Sequence, residues 1–369
     1  MKTISELQGI LSGFLNWNKS RLDCLSHLLL ALFAVKTVNL REIAVAFKSS
    51  CQLDSRYKRI KRFFRQVDID VASVGKWIFS LFFTPEQTVY LTIDRTNWFW
   101  GKAKINILTV SAAYEGIAIP LYWTLLDKAG NALASEHIAI LSRAVELFGS
   151  HVVAGILGDR EFAHGSLFKW CNDNQLPFYI RIKDNAQIYI RKKKWITAKK
   201  VFEKLSPKEQ KRFDMSVMVY GQRVFLAGAR SERGELMVVA TNKNPTNAIS
   251  IYLRRWEIEM LFQSLKSRGF RFEETHLTHR ERIEKLMAVL AIGFAFAHKV
   301  GEWVAEKRPI IFNQYRDSQR PQYSFFRYGL DKIREAVLGN FSGKNPLLEY
   351  FKVLKLNKIN IIPNQRAGL

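Results

Sequence analysis

The chain predicts an α/β fold: a mixed sheet flanked by helices, interrupted by a β-rich insertion and bracketed by helical regions at both ends. Three observations carry that expectation. Apolar residues recur at helical spacing through residues 1 to about 85, as in "ELQGILSGFLNW" and "CLSHLLLALFAVKTV". From Thr88 the period changes to two, and strand-like and helix-like runs then alternate. Between residues 186 and 248 the alternation gives way to a basic run and more strand-like segments, before helical spacing returns.

Within the helical opening, "NLREIAVAFKSSCQLDSRYKRIKRFFRQVDID" divides into two short helices around "SSCQLDS". The second carries Arg56, Lys58, Arg59, Lys61, Arg62 and Arg65. This is the outline of a helix–turn–helix whose cations meet phosphates, although a solvated basic helix on a bundle would look the same. Next, "TVYLTIDRTNW", "INILTVSAAYE" and "IAIPLYWTLL" are three successive strands on short links, hence a meander. Ser135 caps the helical run "SEHIAILSRAVELFG", with Gly149 just beyond it. "VVAGILGD" is short and almost wholly apolar, as a strand buried on both faces would be. "HGSLFKWCNDN" is a helix and "FYIRIKD" a fifth strand. Three strands, helix, strand, helix, strand is the order of an RNase H-like core.

In the insertion, "RKKKWITAKKVFEKL" is strongly basic, while "MSVMVYGQRVFLAGARS" and "ELMVVATN" alternate like strands, with Gly221 at a turn. "YLRRWEIEMLFQSLKSRG" then reads as a single helix, followed by the apolar helix "RIEKLMAVLAIGFAFAHKV", which His298 ends. The basic tail holds one amphipathic stretch, "LDKIREAVLG". The expected domains are a helical 1–85, a sheet core made of 86–185 and 249–305, the insertion 186–248, and a basic helical region 306–369.

The 369 residues carry a net charge of +24, with 48% of positions apolar. That much apolar material can build a substantial core, and so lopsided a balance points to a polyanion, nucleic acid being the commonest; an anionic membrane surface is the alternative. Cys24, Cys51 and Cys171 are too few and too scattered for a disulfide framework or a zinc cluster, which fits a reducing compartment. The apolar runs Leu28–Val35 and Leu286–Ala297 are too short to span a bilayer. Glu6 and its polar neighbours interrupt any signal-like opening, so a cytoplasmic protein without a membrane partner is expected.

The chemistry concentrates in three places. Asp94 lies within the first strand, where a carboxylate is costly unless paired or bound to a cation. Asp159 ends the fourth, which in this fold neighbours the first, so the two carboxylates would lie side by side and repel. Such a pair invites a divalent metal. On the helix 252–269, Tyr252, Arg255, Glu259 and Lys266 fall within a stripe roughly 60° wide, at about 100° per residue. Ile258, Leu261, Phe262 and Leu265 centre about 100° away, so the polar file faces a cleft at the edge of the core. Glu259 can complete an all-oxygen set suited to Mg²⁺ or Mn²⁺. Two such ions about 4 Å apart activate an attacking oxygen and stabilise a leaving one. Taken singly, each residue has a blander reading: an Asp in a strand is more often a turn or cap partner, and Arg255–Glu259 is an ordinary (i, i+4) pair.

Together these residues resemble the bacterial DDE transposases of the insertion-sequence-4-like family. The spacing of Tyr252, Arg255, Glu259 and Lys266 is similar to that family's Tyr-Arg-Glu-Lys signature, "TIDRTNW" to its first-Asp motif and "GDREF" to its second, with "ETHLT" at Glu274–Thr278 also familial. The resemblance runs from about Leu91 to Val300. It implies Asp94, Asp159 and Glu259 as the metal-binding triad, Arg255 and Lys266 as DNA-phosphate contacts, and Tyr252 as a phosphate contact or a helper to a displaced base. It also implies a bacterial, nucleoid-associated enzyme that binds the terminal inverted repeats of an insertion sequence. Such an enzyme cuts at the element ends, often through a hairpin, and joins the 3′-hydroxyls to target DNA as a homodimer in a synaptic complex.

In hairpin-forming relatives an aromatic of the insertion stacks a flipped base. Trp195, beside Arg191–Lys194, and Tyr220 are this chain's candidates, and neither matches by motif. Trp98 and Trp100 are expected to wall the cleft, and His276 and His279 to be polar loop residues. Two other functions fit the same residues: a DNA-binding regulator derived from a transposase that no longer cuts, and a metal-dependent nuclease without strand transfer.

Overall fold

The computed structural model describes residues 2–190, 194–315, 318–339 and 344–355. The chain divides into two compact units, Glu86–Phe262 and a helical one made of Met1–Pro85 with Gln263–Leu369.

The helical unit opens with α1 (Lys2–Ser12), α2 (Lys19–Val35), α3 (Leu40–Ala46), α4 (Leu53–Gln66) and α5 (Val71–Phe82). Helix starts follow side-chain chemistry. Asn18 accepts from the Arg21 N–H ahead of α2, and Asp70 accepts from Ala72 and Ser73 ahead of α5, satisfying N–H groups that have no partner within the helix. Eleven residues of α2, including Leu25, Leu28, Leu32 and Phe33, are buried. Only Ile60, Phe63 and Phe64 of α4 are buried, so most of its surface is left to charges.

In the sheet unit, β1 (Val89–Trp100), β2 (Ala103–Tyr114) and β3 (Ile117–Leu125) form the expected meander. Then come α6 (Ala134–Phe148), β4 (Val153–Gly158), α7 (Gly165–Asp173) and β5 (Phe178–Ile182). The order is β3-β2-β1-β4-β5, with β2 antiparallel to β1 and with β4 and β5 parallel to it through the helical crossovers. This is the RNase H-like arrangement. Ser135 is not the cap of α6: that place belongs to Leu133, whose N–H donates to the Glu136 carboxylate at 2.5 Å.

The insertion supplies β6 (Gln187–Ile190), β7 (Lys194–Thr197), α8 (Ala198–Val201), β8 (Gln210–Val219), β9 (Gln222–Arg230) and β10 (Leu236–Thr241). These strands continue the same sheet. β10 pairs with β5, and β9, β8, β6 and β7 follow, making ten strands. An uncovered β5 edge would leave a row of unpaired N–H and C=O groups, which β10 satisfies.

The segment expected as one helix is three pieces: α9 (Ala248–Leu253), a 3₁₀ turn at Arg254–Trp256 and α10 (Glu257–Leu265). The division between units falls inside α10. Beyond it lie α11 (Arg280–Lys307), the hairpin β11 (Phe312–Tyr315) and β12 (Ser318–Pro321), α12 (Phe325–Leu338) and α13 (Leu347–Tyr350). His298 does not end α11, which runs about two and a half more turns to Lys307. Every residue of Leu286–Ala297 is buried, because the helix packs against α2, α5 and α12. That packing places α11 with the helical unit, although its sequence follows the sheet. No helix among the described residues is long and apolar enough to cross a membrane.

Candidate active site

Strand register brings the two aspartates together. β4 runs beside β1 as far as the pair Ile93↔Gly158, so Asp94 and Asp159 are the next residue on each of two parallel neighbours. Asp94 accepts from its own neighbour's N–H (Arg95 N to Oδ1, 2.7 Å), and Asp159 caps the 3₁₀ turn Arg160–Phe162 through the Arg160 N–H at 2.6 Å. Burial pushes the Asp94 carboxyl up to about 6; the Arg95 N–H and Arg255 pull it down, while the charges of Asp159 and Glu259 push it further up. The carboxylates are thus within electrostatic reach of one another, and their cation does not fully compensate them.

That cation is Arg255, whose side chain is only 4% exposed. It donates from Nη1 to Asp94 Oδ2 at 3.3 Å and from Nη2 to Glu259 Oε1 at 2.8 Å. Its guanidinium also lies 4.8 Å from the centre of the Trp256 ring, and its buried Nε finds no hydrogen-bond partner among the described residues. Arg255 therefore holds the first and third carboxylates in one cluster from the 3₁₀ turn. That turn winds at about three residues per turn, yet Arg255 still meets Glu259 four residues on.

Tyr252, expected beside DNA, is 1% exposed and packs among Leu157, Tyr179, Val239 and Ile249. Its ring cannot stack on nucleic acid from there. Burial raises its phenol, and the Arg255 guanidinium lies 5.9 Å from its ring centre. Lys266 lies in the helical unit and pairs with Glu273 at 2.7 Å.

Several partners of the cluster carried no signal beyond their place in the quoted motifs. Arg95 donates to Glu161 at 2.7 Å and to Asn131 at 2.8 Å, tying the first-Asp motif to "GDREF". Arg254 pairs with Glu257 and donates to the Ala113 carbonyl. Beneath "GDREF", buried His137 meets His164 at 3.2 Å. Burial holds the His137 imidazole down at about 4.

Beside Asp159 opens a cavity of about 840 Å³, whose lining includes Arg160, Lys183, Gln187, Trp195 and Tyr220. Trp195 is 64% exposed, with its ring 5.1 Å from that of Tyr189. Gly165 fixes the far wall: a Cβ there would lie 2.2 Å from the Tyr220 carbonyl oxygen, so only glycine lets α7 approach the β8–β9 turn so closely. Arg191–Lys193, expected to flank Trp195, lie outside the described residues.

On α4 the basic residues divide. Arg56 donates to the Val45 and Phe47 carbonyls, and Arg59 donates to Asp23 at 2.8 Å and to the Ser20 carbonyl. Both close helix ends and helix contacts. Arg62 is exposed, as are Lys58, Lys61 and Arg65.

Asp94, Asp159 and Glu259 offer only oxygen donors, and the Asp94 carboxyl, raised chiefly by burial, is pushed further up by the charges of the other two. The donor chemistry therefore fits a hard divalent cation. Among the described residues, however, no three Asp, Glu, His or Cys side chains are gathered tightly enough to hold a metal ion, and Arg255 occupies an oxygen of both Asp94 and Glu259.

Residues 125–294 match the family model described as a transposase DDE domain. The match contains Asp159 and Glu259 and begins after Asp94. No curated protein matches the chain. Among solved structures, a cryo-EM piggyBac transposase synaptic complex with hairpin DNA is similar at 14% identity and a TM-score of 0.42, over 100% of this chain and 84% of that one.

Proposed function

We propose that the chain is a cut-and-paste DNA transposase that binds the terminal inverted repeats of an insertion sequence, cuts at its ends and joins the 3′-hydroxyls to target DNA. The observation that supports this most is the carboxylate cluster: Asp94 and Asp159 at consecutive register positions on parallel strands, with Glu259 drawn in by Arg255. It lies in a chain whose residues 125–294 match a transposase DDE domain.

Asp94, Asp159 and Glu259 would hold two Mg²⁺ or Mn²⁺ ions, which when bound supply an activated oxygen nucleophile and stabilise the leaving oxygen. The chain's own residues do the rest. Arg255 presents a fixed guanidinium at the cluster, and once its carboxylates are otherwise compensated its forked donors suit a phosphate. The buried Tyr252 ring lies beside it. Lys266, released from Glu273, adds a second phosphate contact. Arg62 and its exposed neighbours on α4 bind the DNA ends electrostatically, with Arg56 and Arg59 supporting that surface. A hairpin route has its own support in Trp195, exposed on the cavity beside Asp159, where a displaced base could stack. Two copies of the chain would hold two DNA ends in a synaptic complex.

A cleavage assay on linear DNA carrying the element's own ends, in Mg²⁺, Mn²⁺ or chelator, tests the reading. Metal-dependent nicks at those ends, absent in Asp94→Ala, are expected, and pre-cut ends should yield joined product with target DNA. Tight end binding with no cut in either metal overturns the enzyme and leaves a regulator. Cutting without joining leaves a nuclease.

A further inference from the structure

β1 and β2 pair from Leu91↔Ala112 to Trp100↔Ala103, but their outer neighbours stop short. β4 accompanies β1 only to Ile93, and β3 accompanies β2 only from Ile107. Residues 97–106 are therefore a two-stranded ribbon reaching past the sheet. Gly101, at φ 55, and Lys102 form its turn. A two-stranded ribbon is marginal in water by itself. This one is anchored at its root, where buried Asn106 donates to the Lys128 and Gly130 carbonyls.

Alternation sorts its side chains. Asp94, Thr96, Trp98 and Trp100 share one face of β1, and Arg95, Asn97 and Phe99 the other. Across the ribbon, Trp98 faces Ile105 and Trp100 faces Ala103, while Phe99 faces Lys104. Trp100 is 36% exposed and Phe99 is 62% exposed, with Lys102 and Lys104 exposed at the same tip. On the Asp94 face the aromatics are Trp100 and the half-buried Trp98, with Lys102 at the turn beyond them, whereas Lys104 lies with Phe99 on the opposite face; indoles beside a cation suit a surface that stacks bases and attracts phosphates. At about 3.3 Å per residue, Trp98 stands roughly 13 Å and Trp100 roughly 20 Å from Asp94 along the strand. Same-face neighbours are then about 6.6 Å apart, close to twice the ~3.4 Å rise of stacked bases.

We propose that the Asp94 face of this ribbon is a stacking platform for unpaired bases of the DNA strand leaving the active site, about four to six nucleotides from the cut. The proposal rests on the reading of the chain as a DNA-cutting enzyme. Unpaired strand is the committed occupant, because bases within a duplex show their faces to one another and only unstacked ones can lie on an indole. Phe99, on the opposite face, is the internal control.

The test is binding in chelator, where nothing is cut, of an end duplex carrying a single-stranded extension with 2-aminopurine about four to six nucleotides from the cut position. Wild-type protein should quench the probe. Trp100→Leu should weaken binding of the extended DNA about five- to a hundredfold and relieve the quenching, whereas Trp100→Phe should keep most of both. Phe99→Leu should behave as wild type, and on blunt duplex all four proteins should agree within about twofold. Equal losses in Phe99→Leu and Trp100→Leu, or equal losses on blunt and extended DNA, overturn the platform. So does wild-type protein that neither prefers the extension nor quenches the probe. A face-dependent signal in a protein that never cuts the element ends retains the platform and removes the enzymatic reading; the reverse pattern does the opposite.

Discussion

Each unit of the molecule buries a carboxylate among cations, and the two carboxylates respond in opposite directions. In the helical unit Glu302 sits on α11 with Lys299 and His298, side chains that are 15%, 7% and 2% exposed. Burial alone would raise its carboxyl, but His298, 3.4 Å away, and the Lys299 ammonium that donates to it hold it down at about 2. In the sheet unit burial raises Asp94 too, yet there one arginine serves Asp94 and Glu259 with Asp159 alongside, and the carboxyl rises to about 6. Desolvation is common to both, so the balance of neighbouring charge decides the sign. A cluster with its charges matched holds a fold together. One short of positive charge stores a repulsion that a ligand can relieve, which is why such groups gather at functional sites.

The largest effect should come from unbalancing the matched cluster. Glu302→Gln leaves the buried Lys299 ammonium without its carboxylate and should cost about 3–5 kcal/mol of unfolding free energy at neutral pH, read by urea denaturation. Because the folded Glu302 carboxyl lies below its ordinary 4.5, its contribution is present above that pH and is lost as pH falls toward 2. The wild type should therefore lose about 3 kcal/mol over that window that the variant has already lost. A variant as stable as wild type would mean that these charges do not form a structural pair.

Asp94 should show the reverse. Its folded carboxyl lies above the ordinary 3.8, so protonation favours the folded state: the benefit is complete below pH 3.8 and fades as pH rises through about 6. In chelator, Asp94→Asn should accordingly be more stable than wild type by up to about 3 kcal/mol at pH 8 and indistinguishable from it at pH 4. The same variant should lose metal-dependent cleavage. Lower stability at both pH values would show that Asp94 is held as a structural partner of Arg255, and the contrast between the two clusters would collapse.

These two clusters were not equally legible in the sequence. Asp94 and Asp159 could be paired because the strand order sets adjacent parallel neighbours, and that order follows from periodicity and segment length. Glu259 and Arg255 were legible by spacing. The burial of Tyr252 carried no signal, because a stripe drawn at about 100° per residue does not show that α9 packs on β5, β9 and β10. Glu302 carried no signal: an (i, i+4) partner of His298 looks the same in sequence whether the helix face is wet or dry, and burial of α11 depends on packing against other helices, among them α5, which is remote along the chain. The insertion was legible as β-rich, but its continuation of the main sheet depends on β10 finding the edge of β5.

The smallest effect separates a third kind of charge, neither buried nor paired in a core. Arg59 and Arg62 lie three residues apart on α4, and spacing alone treats them alike. In the structure the Arg59 guanidinium is committed to Asp23 and to the Ser20 carbonyl, whereas Arg62 is exposed. A phosphate contact made by an exposed cation releases about one counterion, so Arg62→Ala should lower the slope of log K against log salt by about one unit, with little change in unfolding free energy. Arg59→Ala should do the opposite, leaving the slope nearly unchanged while lowering stability by about 1 kcal/mol, the scale of a partly exposed ion pair. Binding isotherms on end DNA at several salt concentrations, beside urea titrations of both variants, decide between them. If the two variants shift the slope equally, Arg59 leaves Asp23 when DNA binds, and the line between structural and DNA-facing charge on α4 has to be redrawn.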